Sequence, residues 1–442
     1  MNERKESYLL LRGVRIPEDG AGGKTDRVAD VLIHRQNGKG VIREILPARA
    51  GGLATMQEKW GENFPLTIRQ ENGSFLLPTF VDSFCSLCDA DYAYREDPES
   101  YSAAALAGGF TDLLLVPQKR SNAVGALGEM RRRFDGSRCR TAIAAGVQPA
   151  GGHGSLCDPQ RLRQEGYTIL TDAGGGALPD EQMYSLMKKA AAADSLLLLP
   201  IRCDPTGVGQ LHEGRVSRLT GVAGIDPVYG LISLSKLLLL AGRSGCRIHI
   251  PVVSSRAQLL QIRRAKADGV GVTCGTTPAY FSMTEDDVIY RGAAAKLDPP
   301  LQTESDREAI LEGLRDGSID CICSGHSPLS RYEKQGTLTA AKPGASMLEA
   351  VFTACVTYLL EPGLLTPRQL QELLSAAPAR ILGLPARKIA EGEPADLCLT
   401  DLRAERIFDP AAMKSKSANL PYLGMAMRGS VRETLLDGTP VA

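Results

Sequence analysis

Between about residues 76 and 325, short β-branched or leucine-rich runs alternate with amphipathic stretches, the pattern of successive strand–helix units around a parallel sheet. Eight runs carry it: FLLPTFVDSF (75–84), TDLLLVP (111–117), TAIAAGV (141–147), YTILTD (167–172), LLLLPI (196–201), RIHIPVV (247–253), GVGVTC (269–274) and IDCICS (319–324). Eight parallel strands separated by helices predict an α/β protein built on a closed (β/α)8 barrel of TIM type rather than an open sheet. Their near-continuous hydrophobicity fits strands covered on both faces. The intervening helices carry their own signals. ESYSAAALAGG ends in a glycine pair suited to a C-cap, and ESDREAILEGLRDG opens on Glu304, Ser305 and Asp306 before its apolar stripe. Outside this region, YLLLRGVRI (8–16), VLIHR (31–35), ADLCLTDL (395–402) and VRETLLDGTPV (431–441) read as strands, so the two ends together predict a small composite β-sandwich. The expected division is 1–74 for its amino-terminal part, 75–385 for the barrel and 386–442 for its carboxy-terminal part. The glycine pairs beginning at 22, 51, 151 and 174 read as loops.

Composition narrows the function without naming it. The chain has 442 residues, of which 43% are hydrophobic, and 51 Lys+Arg balance 51 Asp+Glu. Zero net charge argues against a nucleic-acid partner. The opening MNERKESYLL lacks the apolar stretch of a signal peptide, and no membrane-length apolar run follows, so a cytoplasmic protein is expected. Eleven Cys, an odd number without regular spacing, read as reduced thiols rather than a disulfide framework.

In a barrel, reactive groups sit where strands end and loops begin. Metal-assisted hydrolysis there needs three or more converging ligands, usually His and carboxylate, with one position left open for water. The five histidines, His34, His153, His212, His249 and His326, form no close pair of the H-x-H or H-x-x-x-H kind. Only His249 and His326 fall near predicted barrel strands.

The segment LLPTFVDSFCSLCDADYAYREDPESYSAAALAGGFTDLLLVPQ (76–118) resembles the opening of the dihydroorotases of the amidohydrolase superfamily, whose form is P-G-F-V-D-x-H-x-H-x-R, an acidic stretch, then A-G-G-F-T and M-P-N. The likeness continues through HEGRVS (212–217), KLDPPLQ (296–302), IDCICSGHSPLS (319–330), APARILGLPARKIAEGEPADLCLTD (377–401) and SKSANLPYLGMAMRGSV (415–431), and so covers nearly the whole chain. The resemblance implies the barrel, a pair of zinc ions and the reversible cyclisation of carbamoyl aspartate to dihydroorotate. It also implies a homodimer.

The residues that would perform this chemistry are replaced. The strand-one histidine pair falls on Phe84 and Ser86, and the substrate-binding Arg that follows on Cys88. The strand-four Asp-Asp-Gly becomes Asp172, Ala173 and Gly174. The strand-five His falls near Ile201 or Arg202, the strand-six metal ligand on Val252, and the final catalytic Asp on Gly325. Among the other substrate positions, the Asn of M-P-N is Gln118, the Asn of N-P-P-L-R is Asp298, and the last His is Leu329. Phenyl and isopropyl groups have no lone pair for Zn²⁺, and glycine cannot act as a general base. The expectation is therefore no zinc cofactor and a catalytically inactive, structural or regulatory subunit of pyrimidine biosynthesis. Aspartate transcarbamoylase or a catalytic dihydroorotase is its expected partner.

Two other readings stay open: an active cyclic amidohydrolase with a rebuilt site, for which Asp172 and His326 are the catalytic candidates, and a module binding a small carboxylate or ureido ligand. Arg202 could supply fixed positive charge to Asp172. Asp82 reads as structural. Cys85-x-x-Cys88 and Cys321-x-Cys323, with Cys203 and Cys274 near strand ends, invite a thiolate metal site, but strand alternation turns Cys85 away from Phe84 and Ser86, and buried free Cys commonly acts as a small hydrophobe. The basic stretch MRRRFDGSRCR (130–140) reads as a solvated face or a partner-docking patch.

Overall fold

Alternating apolar residues near the amino terminus build β1 (Glu6–Glu18), which is buried on both faces. Leu9 and Leu11 share one face with Val14 and Ile16, although the parity changes between the pairs, because a bulge between Leu11 and Val14 shifts the register by one. Gly13 occupies that bulge at φ +70°, where its N–H donates to Asp30 Oδ1 at 2.8 Å and a Cβ would lie 2.1 Å from Asn72 Oδ1. Around β1 assemble β2 (Thr25–Gln36), β3 (Lys39–Pro47), β4 (Leu66–Gln70) and β5 (Phe75–Pro78). This computed structural model describes residues 6–18, 25–48, 65–87, 92–117, 124–148, 156–173, 177–204, 207–385 and 387–442.

A second set of strands lies in parallel: β6 (Phe80–Leu87), β7 (Phe110–Pro117), β8 (Arg140–Ile143), β9 (Ala145–Gly146), β10 (Ile169–Thr171) and β11 (Leu196–Leu198). After a short pair, β12 (Leu211–His212) and β13 (Gly224–Ile225), it resumes with β14 (Ile248–Ile250), β15 (Val272–Thr276) and β16 (Cys321–Ile322). The chain returns to the first sheet with β17 (Leu397–Ile407), β18 (Ala426–Leu436) and β19 (Thr439–Pro440). That sheet has the order β19-β18-β17-β5-β1-β2-β3, with β4 also on β1, so both chain ends meet in one eight-stranded hydrogen-bonded sheet where the sequence suggested a two-sheet sandwich. β5 pairs with β17 and β1, so Phe75–Pro78 belongs to the terminal sheet and the parallel strands begin only after Thr79. The change of sheet falls inside the run FLLPTFVDSF (75–84), at Pro78–Thr79, with no loop of its own to mark it.

The parallel strands form a three-stranded sheet, β6-β7-β8, and a six-stranded one, β9-β10-β11-β14-β15-β16. Ala144 alone separates β8 from β9, and its N–H donates to Leu115 O at 3.0 Å. At the far margins, the N–H of Ser86 donates to His326 O at 2.8 Å and that of Gly325 to Phe84 O at 3.1 Å, joining β6 to the segment after β16. Alternation sorts the side chains: Val81, Leu114, Val116, Ile169, Leu196 and Leu198 cluster together, while Leu113, Leu115, Leu170, Leu197 and Leu199 pack with the helices. Those helices are stopped by the residues the sequence supplies. Asp97 caps helix Pro98–Ala107, and helix Glu304–Asp316 runs from a capping box at Thr303 to a left-handed Gly317. No helix among the described residues is long and apolar enough to cross a membrane.

Sheet and parallel strands are locked by alternating buried charges. Arg387 donates to Asp112 Oδ2 at 2.9 Å and Asp396 Oδ2 at 2.7 Å, and Arg140 reaches the same two carboxylates. The Asp396 side chain is 2% exposed. Asp396→Ala leaves this charge cluster unbalanced and should destabilise the protein by about 3 kcal/mol in a denaturant titration. Asp194→Ala, which breaks only exposed pairs with Arg163 and Arg247, should cost about 0.5 kcal/mol or less.

His249 and His326 are buried within the parallel strands and their connections. The Nδ1 of His249 lies 2.9 Å from Thr273 Oγ1, and that of His326 accepts from the N–H of Met347 at 3.1 Å. Burial pulls both imidazoles down from 6.5 to about 3. A depressed histidine favours folding fully above pH 6.5, and that contribution is lost as the pH falls through about 3. Buried carboxyls such as Asp82, raised to about 6, act in the opposite sense, so a variant isolates the imidazole. His326→Gln, which keeps an acceptor for Met347, should lose less melting temperature than the wild type between pH 6.5 and 3.5; equal losses would refute the burial argument.

Candidate active-site cavity

The ends of the parallel strands and the segments after them enclose a cavity of about 420 Å³. Its position follows from strand alternation: Phe84 and Ser86 on β6 turn toward it, while Cys85 between them joins the core behind. Five of the six expected ligand positions meet there, namely Phe84, Ser86, Ala173, Val252 and Gly325. The sixth, Arg202, borders an adjoining cavity of about 630 Å³ with Asp172, and Ala173 and Asp298 line both spaces. Chain segments far apart in sequence are thus brought to one place, but with side chains that offer a phenyl ring, a hydroxyl, a methyl, an isopropyl group and no side chain at all.

The backbone has settled around these replacements. Gly325 has φ +58°, and a Cβ there would lie 2.7 Å from the Thr277 methyl, so an aspartate could not be restored without moving the β-branched Thr277. The carboxylate that survives, Asp172, is committed. Its Oδ2 accepts from Arg202 Nη2 at 2.9 Å, and the same nitrogen donates to Asp172 O at 3.2 Å. Burial raises the Asp172 carboxyl even though Arg202 opposes the shift. Its other oxygen, Oδ1, is buried with no hydrogen-bond partner among the described residues.

The remaining candidates scatter. His326 does not line the cavity; its ring lies behind the wall, edge-on to Tyr101 with centroids 5.1 Å apart and with Nε2 3.9 Å from the buried Glu96. Leu329 is buried away from the lining, its N–H donating to Asn419 Oδ1 at 3.2 Å. Cys88 and Gln118 lie outside the described residues, as does the expected Gly174. Cys203 borders the second cavity, while Cys85, Cys274, Cys321 and Cys323 are buried thiols raised or held apart from solvent by the apolar interior.

Among the described residues, no three His, Cys, Asp or Glu side chains converge in a way that could hold a metal ion. Asp82 lies too deep to serve: its Oδ1 accepts from Ser324 N at 2.9 Å and Phe84 N at 3.3 Å, its Oδ2 accepts from Ser324 Oγ, and burial lifts it to about 6. Sequence reasoning missed Thr277 and Tyr280, which line the cavity just beyond β15, and the wall formed by Pro343, Gly344, Ala345 and Met347. The rule that barrel mouths are built from strand ends pointed to the TTPAYF run; nothing in the sequence pointed to the later segment.

Comparison with known proteins identifies the family. The model of the amidohydrolase family matches residues 137–441. The dihydroorotase of Staphylococcus epidermidis is 32% identical over 375 residues, covering 84% of this chain and 88% of its own. That of Halalkalibacterium halodurans is 31% identical over 436 residues, covering 97% of each chain. Among solved structures, the L-hydantoinase (dihydropyrimidinase) of Arthrobacter aurescens superposes with a TM-score of 0.81 at 21% identity, covering 98% of this chain and 96% of its own. The dihydropyrimidinase of Brevibacillus agri gives 0.80 at 17% identity, covering 99% and 95%. With a family model spanning most of the chain and relatives above 30% identity along nearly all of it, this chain belongs to the amidohydrolase family as a dihydroorotase-like member.

Proposed function

We propose that this dihydroorotase-like chain is a non-catalytic subunit of pyrimidine biosynthesis, its two parallel sheets forming one closed eight-stranded (β/α)8 barrel that has lost its hydrolytic centre. The observation that carries the reading is the convergence of Phe84, Ser86, Ala173, Val252 and Gly325 on one cavity, at the positions where the family resemblance puts metal ligands and general base. Hydrolysis of a ring amide at neutral pH needs a strong nucleophile. Water has a pKa near 16, against about 7 when bound to zinc, and these five side chains can neither grip the ion nor take the proton. The survival of the scaffold around them fits selection for shape. The partner follows by analogy with the family: an aspartate transcarbamoylase or a catalytic dihydroorotase of the same cell, bound by a homodimer of this chain in the cytoplasm.

The rival reading, an active cyclic amidohydrolase with a rebuilt site, relies on Asp172 as its acid, and that acid is already paired with Arg202. Zinc-supplemented protein assayed in both directions, with dihydroorotate and with carbamoyl aspartate, should show no rate above buffer and should retain no stoichiometric zinc after gel filtration. Turnover on the order of 1 s⁻¹ that tracks bound zinc would restore the enzyme reading. Size-exclusion chromatography with the cell's own transcarbamoylase or dihydroorotase tests the subunit role separately: a shared peak is expected, and separate elution from both would remove that role without bearing on whether the chain catalyses anything.

A further inference from the structure

We propose that the cavity walled by Phe84 and Tyr280 is a binding site for a small ligand bearing a protonated amine on a flat or compact apolar body, with Asp298 as the counter-ion. The family resemblance suggests an acidic ligand, and the charges around the cavity reverse that. Among the described residues, Asp298 is the one charged side chain lining the smaller cavity, and it also borders the larger one. Its carboxylate has no hydrogen-bond or ion-pair partner among the described residues. The nearest charge acting on it is that of Asp204, of the same sign, which adds to enclosure by protein in raising its carboxyl. By accessible surface Asp298 is an exposed residue, and it lines both cavities.

Among the described residues, the nearby cations have partners of their own. Arg202 is held by Asp172, and Lys236 pairs with Asp180 at 2.9 Å. Lys296, two residues before Asp298, turns its Nζ to Gln210 Oε1 and to the carbonyls of Leu338 and Ala341, the latter two at 2.6 Å. An incoming carboxylate would therefore meet Asp298 and Asp204 with no uncommitted cation among the described residues to receive it. An ammonium group meets the reverse: a carboxylate without a partner, hydroxyls of Ser86 and Thr277 able to accept from N–H, and the rings of Phe84 and Tyr280, whose faces favour cations. Val116, Val252, Ala279, Leu297 and Met347 supply the apolar surface for the ligand's body. The volume, about 420 Å³, suits a molecule of one ring. The inference does not rest on the subunit role, since it is argued from the lining of the single chain.

Three probes of one shape and different charge test it: benzylammonium, benzyl alcohol and benzoate, titrated into the full-length protein by calorimetry at neutral pH. Benzylammonium should bind at least roughly tenfold more tightly than benzyl alcohol, with benzoate weakest. Asp298→Asn should abolish the advantage of the cation while leaving benzyl alcohol unchanged, and Asp298→Glu should keep part of it. Benzoate binding as well as benzylammonium, the charge preference surviving in a folded Asp298→Asn, or no binding of any of the three would each overturn the proposal. Should Asp298→Asn fail to fold, the order of the three probes on the wild-type protein decides alone.

Discussion

The carboxylate of Asp82 holds together the place where everything else in this molecule converges. Fully buried, it accepts hydrogen bonds from the N–H and hydroxyl of Ser324, so the first parallel strand, near its start, is fastened to the segment after the last. Ser324 Oγ in turn accepts from the N–H of His326 at 2.9 Å, and the His326 ring accepts from Met347 N, which lines the cavity. One buried acid thus sets, through a relay of short hydrogen bonds, the seam between the two sheets and a wall of the cavity. The network is satisfied at Asp82 and Ser324, while His326 Nε2 is buried with no hydrogen-bond partner among the described residues. In this arrangement Asp82 and His326 each bond to backbone N–H groups.

That division explains which parts of the molecule were legible in the amino-acid sequence. The eight apolar runs announced the parallel strands because their residues are buried on both faces, a burial that demands continuous hydrophobicity and leaves a strong signal. Glycine and acidic punctuation located helix Pro98–Ala107 and helix Glu304–Asp316 for equally local reasons. The terminal sheet was less legible. Lys39–Pro47 and Leu66–Gln70 are only partly buried, so their alternation is diluted by polar residues and neither stood out. The assignment of Phe75–Pro78 depended on pairing with residues some 320 positions later, Leu397 to Thr400, which no local pattern encodes.

The candidate site divides along the same line. Positions expected from the family pattern, Phe84, Ser86, Ala173, Val252, Gly325 and Asp298, came together because strand order carries them to one end. Thr277 and Tyr280 follow β15 directly, within reach of the strand-end rule, whereas the wall from Pro343 to Met347 depends on how a long connection folds back, not on residue type. Gly325 was readable as a loss but not as a commitment: only the backbone reveals that its left-handed conformation and the methyl of Thr277 now exclude a side chain.

These observations bear on how the cavity holds together if, as proposed, its metal ligands have been lost. A metal centre of several converging histidines and carboxylates is an electrostatic liability once the cation is gone, since anions and polar groups would then face each other in a poorly hydrated space. On that proposal, phenyl, methyl and isopropyl groups at Phe84, Ala173 and Val252 avoid that cost and present an apolar wall. The charges left nearby are paired, as in Asp172 with Arg202, or structural, as in Asp82. Asp298 departs from this tendency, because its carboxylate borders both cavities without a partner among the described residues and feels Asp204 as a like charge. On the binding proposal, this carboxylate is the counter-ion that the ligand's ammonium group would meet.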